Sequence, residues 1–156
     1  MTLDERLDTL GALWSLWAEH GRAMTDEQWR RPTRLGDWDV RSLYAHAGAW
    51  PFGLSRLVDR VRDAEPTHAS AAGALGPVVV DYSGRGLLRL DEAVSIGVME
   101  ATVHLLDLRH ALGQPADLPA DGLAQTAAVL VAMAPPVDLI EAATGRSTAT
   151  PFPVLS

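Results

Sequence analysis

The sequence predicts an all-α protein, and three observations lead to that class. Apolar residues recur every three or four positions in most of the chain, and the alternation typical of half-buried strands is almost absent. Gly and Pro stand mainly between the periodic segments, where helices end. Each such helix must bury its apolar face against another, so a bundle is expected. With 156 residues, we expect one compact domain over residues 1–156.

The first helix is predicted by an apolar stripe at helical spacing. Its members are Leu3, Leu7, Leu10, Trp14 and Trp17, and the acidic residues of this segment fall on the other side of the turn. Gly21 and the polar residues from Thr25 to Gln28 then predict a break followed by a short helical turn.

A second helix is predicted from Val40 to about Asp63. Asp39 precedes it and can accept hydrogen bonds from the free amides of its first turn, as an N-cap does. Pro51 lies inside this range and predicts a kink or a break. Residues 64–90 are rich in Ala, Gly and Pro and are predicted to form a loop, with a short extended segment at "PVVVDY".

The second half of the chain predicts helices over residues 91–113, 121–133 and 138–144. Asp91 is the expected cap of the first of these, and Gly113 is its expected end. Pro135 and Pro136 are expected to stop the second.

Charge and composition exclude several classes of protein. The formal net charge of −7 argues against a general affinity for nucleic acid or for anionic membranes. The chain has no Cys, which excludes disulfides, a thiolate metal site and a cysteine nucleophile. Its first residues are acidic where a signal peptide is basic, and no apolar run approaches the length of a membrane span. We therefore expect a cytoplasmic protein.

Two ionisable residues stand out in the long apolar helix. Between Ala93 and Leu106, Glu100 is the only charged residue and His104 is the only other ionisable one. Residues four apart lie on the same side of a helix, so the two side chains are neighbours. An unpaired buried carboxylate is costly, and a divalent cation would remove that cost.

A third candidate ligand lies in the second helix, where His46 stands among small and aromatic residues in "LYAHAGAWPFGL". Two imidazoles and one carboxylate suit zinc, with a fourth position left for water or substrate. The residues alone also allow a metal-free interpretation. In it, Glu100 and His104 form a hydrogen-bonded buried pair, and His46 is a core histidine.

Other candidate residues surround this set. Asp107 is either an acceptor that orients His104 or a solvated helix residue. Trp50, one turn beyond His46, is placed to line a pocket, although the tryptophans are expected to be mainly core residues. The candidates for binding an anionic substrate are Arg85, Arg34 and Arg41, each of which is otherwise a surface charge.

Two segments resemble a known family. "GDWDVRSLYAHAGAW" resembles the "GWTVRDLLAHLA" segment, and "VMEATVHLLDLRHALGQPADLP" resembles the "ExxxHxxDLAxAxGxPxxLP" segment, of the mycothiol-dependent maleylpyruvate isomerase family in the DinB-like superfamily. In that family the histidine of the first segment and the Glu and His of the second bind zinc. The resemblance therefore implies that His46, Glu100 and His104 are metal ligands.

The resemblance also implies a fold and an activity. The fold is a DinB-like four-helix bundle with the metal near one end. The activity is that of a zinc enzyme that stabilises the thiolate of mycothiol for attack on a small electrophilic substrate, so that the nucleophile belongs to the cofactor.

Two departures from the family pattern limit this expectation. The segment between His46 and Glu100 is short and irregular, so the bundle is either complete or shortened by one helix. A shortened bundle would leave an apolar face for a partner chain, as in a homodimer, for a substrate or for the Ala-rich loop. The isomerase also has a further C-terminal domain, whereas this chain ends at Ser156, so we do not expect maleylpyruvate isomerisation itself.

Three functions remain compatible with the sequence. The first is a zinc-dependent S-transferase or isomerase that uses mycothiol. The second is a hydrolase with zinc-bound water as nucleophile and Asp107 as the candidate base. The third is a non-catalytic binding or oligomerisation module, or a cyclase-like scaffold for a bulky apolar substrate.

Overall fold

A computed structural model of the chain describes residues 1–49, 79–81 and 87–147, with the backbone alone at 79–81 and 87–88. The helices within these ranges are α1 (Leu3–Ala23), α2 (Asp26–Trp29), α3 (40–49 within the described residues), α4 (Leu90–Ala111), α5 (Ala120–Met133) and α6 (Pro136–Ala143). Two short strands, β1 (Val79–Asp81) and β2 (Leu87–Arg89), pair antiparallel ahead of α4. The prediction of an all-α helical bundle is confirmed.

Helix α1 is longer than its apolar stripe predicts. It begins at Leu3 behind a capping box, in which Thr2 Oγ1 accepts from Glu5 N and Glu5 Oε2 accepts from Thr2 N. It then runs through Gly21 and ends at Ala23. The predicted break is confirmed between Ala23 and Asp26, but it does not begin at Gly21, because this glycine lies inside α1 and allows close contact with Tyr44. The predicted helical turn after it is confirmed as α2.

Gly21→Ala should lower the free energy of unfolding by about 1–3 kcal/mol. An added Cβ would overlap the phenol end of Tyr44. That ring cannot move aside easily, because its hydroxyl donates to Trp17 O at 2.8 Å and it packs edge-to-face with the indoles of Trp17 and Trp29. Gly11→Ala on the same helix is the control, since a Cβ there meets nothing within 4 Å and should stabilise by up to about 1 kcal/mol. Urea unfolding measures both variants, and equal effects would contradict the prediction.

Helix α3 begins at residue 40, as predicted. Asp39 acts as its cap, because Asp39 Oδ1 accepts from both the backbone N and the Oγ of Ser42 at 2.8 Å. The rest of the predicted helix, its break at Pro51 and the question of a missing bundle helix lie outside the described residues.

The segment that leads into α4 differs from its prediction in two respects. The extended segment is confirmed in β1, but residues Leu87–Arg89 of the predicted loop form β2. Asp91 is not the cap: α4 starts at Leu90, and the Asp91 carboxylate binds Arg89 and Arg6. The amide of Arg89 is instead bound by the side chain of Glu92.

The ends of the later helices agree closely with the sequence. Gly113 follows α4 with a φ of 67°, a left-handed conformation that suits glycine after a helix end. Helix α5 ends at Met133 as predicted. Pro136 is predicted to help stop α5, but it is the first residue of α6. A backbone N–H at this position would have no partner within the helix, so proline is tolerated there.

The core lies between α1, α3 and α4, and α5 packs on α4 beside α1. Helix α4 is buried on most sides, as its apolar composition predicts. The core residues are Leu10, Leu13, Trp17, Val40, Leu43, Val94, Val98, Ala101, Leu105, Leu108, Leu112 and Leu118. This packing brings the end of the described part of α3 against the middle of α4, where the candidate ligands lie. Among the described helices, none has the length and apolarity that a membrane span requires.

Candidate metal centre

The structure brings the three predicted ligands together. His46 comes from α3, and Glu100 and His104 come from successive turns of α4. Each offers one ligand atom, and these atoms all lie within 4.8 Å of one another. The two helices are separated by a long stretch of sequence, so this convergence is a tertiary property that helical spacing alone does not provide.

His46 forms the outer side of the cluster. Its ring lies perpendicular to that of His104, with 5.1 Å between the ring centroids. On its other side it contacts the indole of Trp38, at 5.1 Å and an interplanar angle of 59°. His46 is exposed, so its interpretation as a core histidine is wrong. Trp38, 37 % exposed, holds this ring in place without burying it.

Glu100 and His104 form the inner side of the cluster. Glu100 Oε2 lies 3.3 Å from His104 Nε2, and both side chains are mostly buried. The buried pair that the sequence allowed is therefore present. It uses Nε2, the nitrogen that would face an ion held between Glu100 and His46.

Asp107 binds the other ring nitrogen of His104. Its Oδ2 lies 3.0 Å from His104 Nδ1, and its Oδ1 accepts from Arg34 Nε at 2.6 Å. Asp107 is 2 % exposed, so the solvated interpretation of this residue is wrong. The carboxylate fixes the orientation of the imidazole and directs Nε2 toward Glu100. In many metal sites a carboxylate that does not bind the metal orients a histidine ligand in this way.

The arginine candidates have other partners. Arg34 is engaged by Asp107, and Arg41 lies over the ring of Trp29 at 5.7 Å. The binding of an anionic substrate by either arginine stays a prediction. Arg85 and Trp50 lie outside the described residues.

The charges of the cluster shift two pKa values. Burial of the ring lowers the pKa of His104, but the hydrogen bonds and negative charges of Asp107 and Glu100 outweigh it and raise this pKa to about 9. Burial raises the pKa of Asp107, but hydrogen bonds from His104 and Arg34, with their positive charges, hold it below its ordinary value. At neutral pH His104 therefore carries a proton, and its positive charge lies between the carboxylates of Glu100 and Asp107.

A small cavity opens between the three side chains. Its volume is ≈ 10 Å³, about the space that one water molecule or one ion needs. Its walls are Trp14, Trp17, His46, Ala47, Gly97, Glu100, Ala101 and His104. The sequence predicts that Trp14 and Trp17 are mainly core residues, and helical spacing does not reveal that their part of the apolar stripe also borders the cluster.

Comparison with known families bears on the first half of the chain. Residues 10–81 match the family model of the mycothiol maleylpyruvate isomerase N-terminal domain. The resemblance inferred from the sequence is thus confirmed over just under half of the chain. The matched part includes α3 with His46 and ends before Glu100 and His104. Searches of curated proteins and of solved structures gave no significant match.

Proposed function

We propose that this protein is a zinc-dependent enzyme that uses mycothiol in an S-transfer or isomerisation reaction on a small electrophilic substrate. One observation carries the proposal: the ligand atoms of His46, Glu100 and His104 converge within 4.8 Å at a cavity with room for one ion. Two imidazoles and a carboxylate are a common zinc ligand set that leaves one coordination position open. The match to the mycothiol maleylpyruvate isomerase N-terminal domain supports the choice of thiol.

The residues around the cluster fit a metal ion. The ion would replace the proton that His104 holds in the metal-free protein, and Asp107 would keep Nδ1 protonated and Nε2 directed inward. When bound, zinc supplies positive charge that lowers the pKa of a thiol or water at its open position. The exposure of His46 gives a ligand access to that position from solvent.

The hydrolase hypothesis receives less support from the structure. Its candidate base is Asp107, but one carboxylate oxygen of Asp107 contacts His104, the other binds Arg34, and the residue is buried. A general base must reach the proton that it removes. We therefore favour a thiol, which is more acidic than water and would lose its proton to solvent when the ion lowers its pKa.

Zinc binding followed by thiol binding tests the proposal. Protein stripped with a chelator should bind about one zinc per chain in calorimetry. The zinc-loaded protein should then bind mycothiol, and S-methyl mycothiol, whose sulfur cannot ionise, is the control that should bind at least about tenfold more weakly. Mycothiol binding that does not depend on zinc would contradict the proposal, and ester turnover without any thiol would favour the hydrolase.

A further inference from the structure

A second and larger pocket lies directly beside the metal centre. Its volume is ≈ 160 Å³, and it lies between α1 and α3. Six residues line it: Trp14, Trp17, Ala18, Tyr44, Ala47 and Gly48. Trp14, Trp17 and Ala47 also line the small cavity at the cluster, so the pocket and the cavity are adjacent.

The lining of this pocket offers apolar surface. None of the six residues carries a charge. Trp17 Nε1 donates to Ala101 O at 3.2 Å, and the Tyr44 hydroxyl donates to Trp17 O at 2.8 Å, so both groups use their polar hydrogens within the protein. A group that enters the pocket therefore gains by burying apolar surface against rings and methyl groups.

We propose that this pocket holds the apolar group of the substrate while the reactive end of the substrate faces His46, Glu100 and His104. The inference rests on the proposed function and names its substrate class. An apolar cavity of about 150 Å³ accommodates benzene. The substrate is accordingly a small electrophile with one ring, or a branched alkyl group of that size, close to its reactive atom.

Two thiols test the contact between the pocket and the metal centre. Benzyl mercaptan can place sulfur at the zinc and its phenyl ring in the pocket, whereas 2-mercaptoethanol has no apolar group to place there. Burial of one ring predicts that benzyl mercaptan binds the zinc-loaded protein about 10- to 100-fold more tightly. Calorimetry gives both affinities, and equal affinities would overturn the inference.

Filling the pocket should remove this preference. Gly48 lines the pocket and a Cβ added there meets no atom within 4 Å, so we expect the side chain of Gly48→Leu to fill the pocket. The variant should reduce the preference for benzyl mercaptan to about threefold or less and leave zinc affinity unchanged. Gly11→Leu is the matched control, because Gly11 is also helical, exposed and open, but lies outside the pocket. Ala18→Leu fills the pocket from the opposite helix and should repeat the result. An unchanged preference in both filled variants would overturn the inference.

A neutral probe separates this inference from the proposed function. Toluene cannot bind zinc, so in the metal-free protein it should shift the indole NMR signals of Trp14 and Trp17, and Gly48→Leu should abolish those shifts. Failure of zinc binding would reject the proposed function and leave the toluene result as the test of the pocket. Normal zinc and mycothiol binding without any toluene shift would reject the pocket alone.

Discussion

His46→Ala should weaken zinc binding by at least about 100-fold while the helices stay folded. Structural zinc sites with four protein ligands bind with roughly 10–16 kcal/mol, so one ligand contributes about 3 kcal/mol, which is about two powers of ten. His46 is the cleanest of the three ligands to remove. It is exposed and belongs to the outer side of the cluster, so its loss opens no cavity in the core. Removing His104 would also leave the buried Asp107 without one of its two partners. The loss of zinc affinity could then not be separated from a loss of folding stability.

Two further variants make this test specific. His110→Ala removes an exposed histidine from the last turn of α4, and it should leave zinc affinity within about twofold of the wild type. Glu100→Gln keeps the shape of the side chain and removes its charge, so it should weaken zinc binding by a similar factor to His46→Ala. Calorimetry on chelator-treated protein measures all three, and circular dichroism reports the fold. Wild-type zinc affinity in His46→Ala would rule out the three-ligand centre.

The sequence predicted the inner half of this centre from local geometry. Glu100 and His104 are four residues apart on one helix, and that spacing fixes them as neighbours in any fold that keeps α4. His46 has no such local link to them. Its ligand role came from its residue type and from the family resemblance, and only the packing of α3 on α4 brings its ring beside His104.

The residues that support the ligands make contacts that a single sequence does not show. Arg34 and Asp107 are separated by 73 residues, and nothing in their spacing indicates that they bind each other. Strand β2 is missed by the sequence prediction for the same reason, because its short sequence does not show that it pairs with β1. Trp38 supports His46 from a loop, outside the reach of helical periodicity.

The metal-free protein should become less stable as the pH rises from about 6.5 to 9. In the folded chain the pKa of His104 is raised from 6.5 to about 9, whereas the unfolded chain retains the ordinary value. A raised pKa means that folding favours the protonated form, so the contribution is complete below pH 6.5 and is lost as the pH rises through 9. The shift corresponds to about 3 kcal/mol, and little screening is expected because the side chain is only 14 % exposed.

Urea unfolding in the presence of a chelator measures this profile. Asp107→Asn removes the charge that Nδ1 of His104 faces, so the variant should have a flatter profile and lower stability at pH 6.5. His110→Gln should keep the wild-type profile, because His110 lies outside the cluster on an exposed part of α4. Constant wild-type stability between pH 6.5 and 9, or an unchanged slope in Asp107→Asn, would show that His104 does not hold the proton.

Zinc affinity should depend on pH in the opposite direction from the stability of the metal-free protein. The ion needs His104 Nε2 without its proton, and the raised pKa of about 9 means that at pH 7 each bound zinc must displace about one proton from this ring. Affinity should therefore rise about tenfold per pH unit between pH 7 and 8 and level off near 9. Calorimetry at pH 7 in buffers of different ionisation enthalpy counts the released protons. A count near zero would mean that zinc binds without displacing the His104 proton, and the centre would then have to use other ligands.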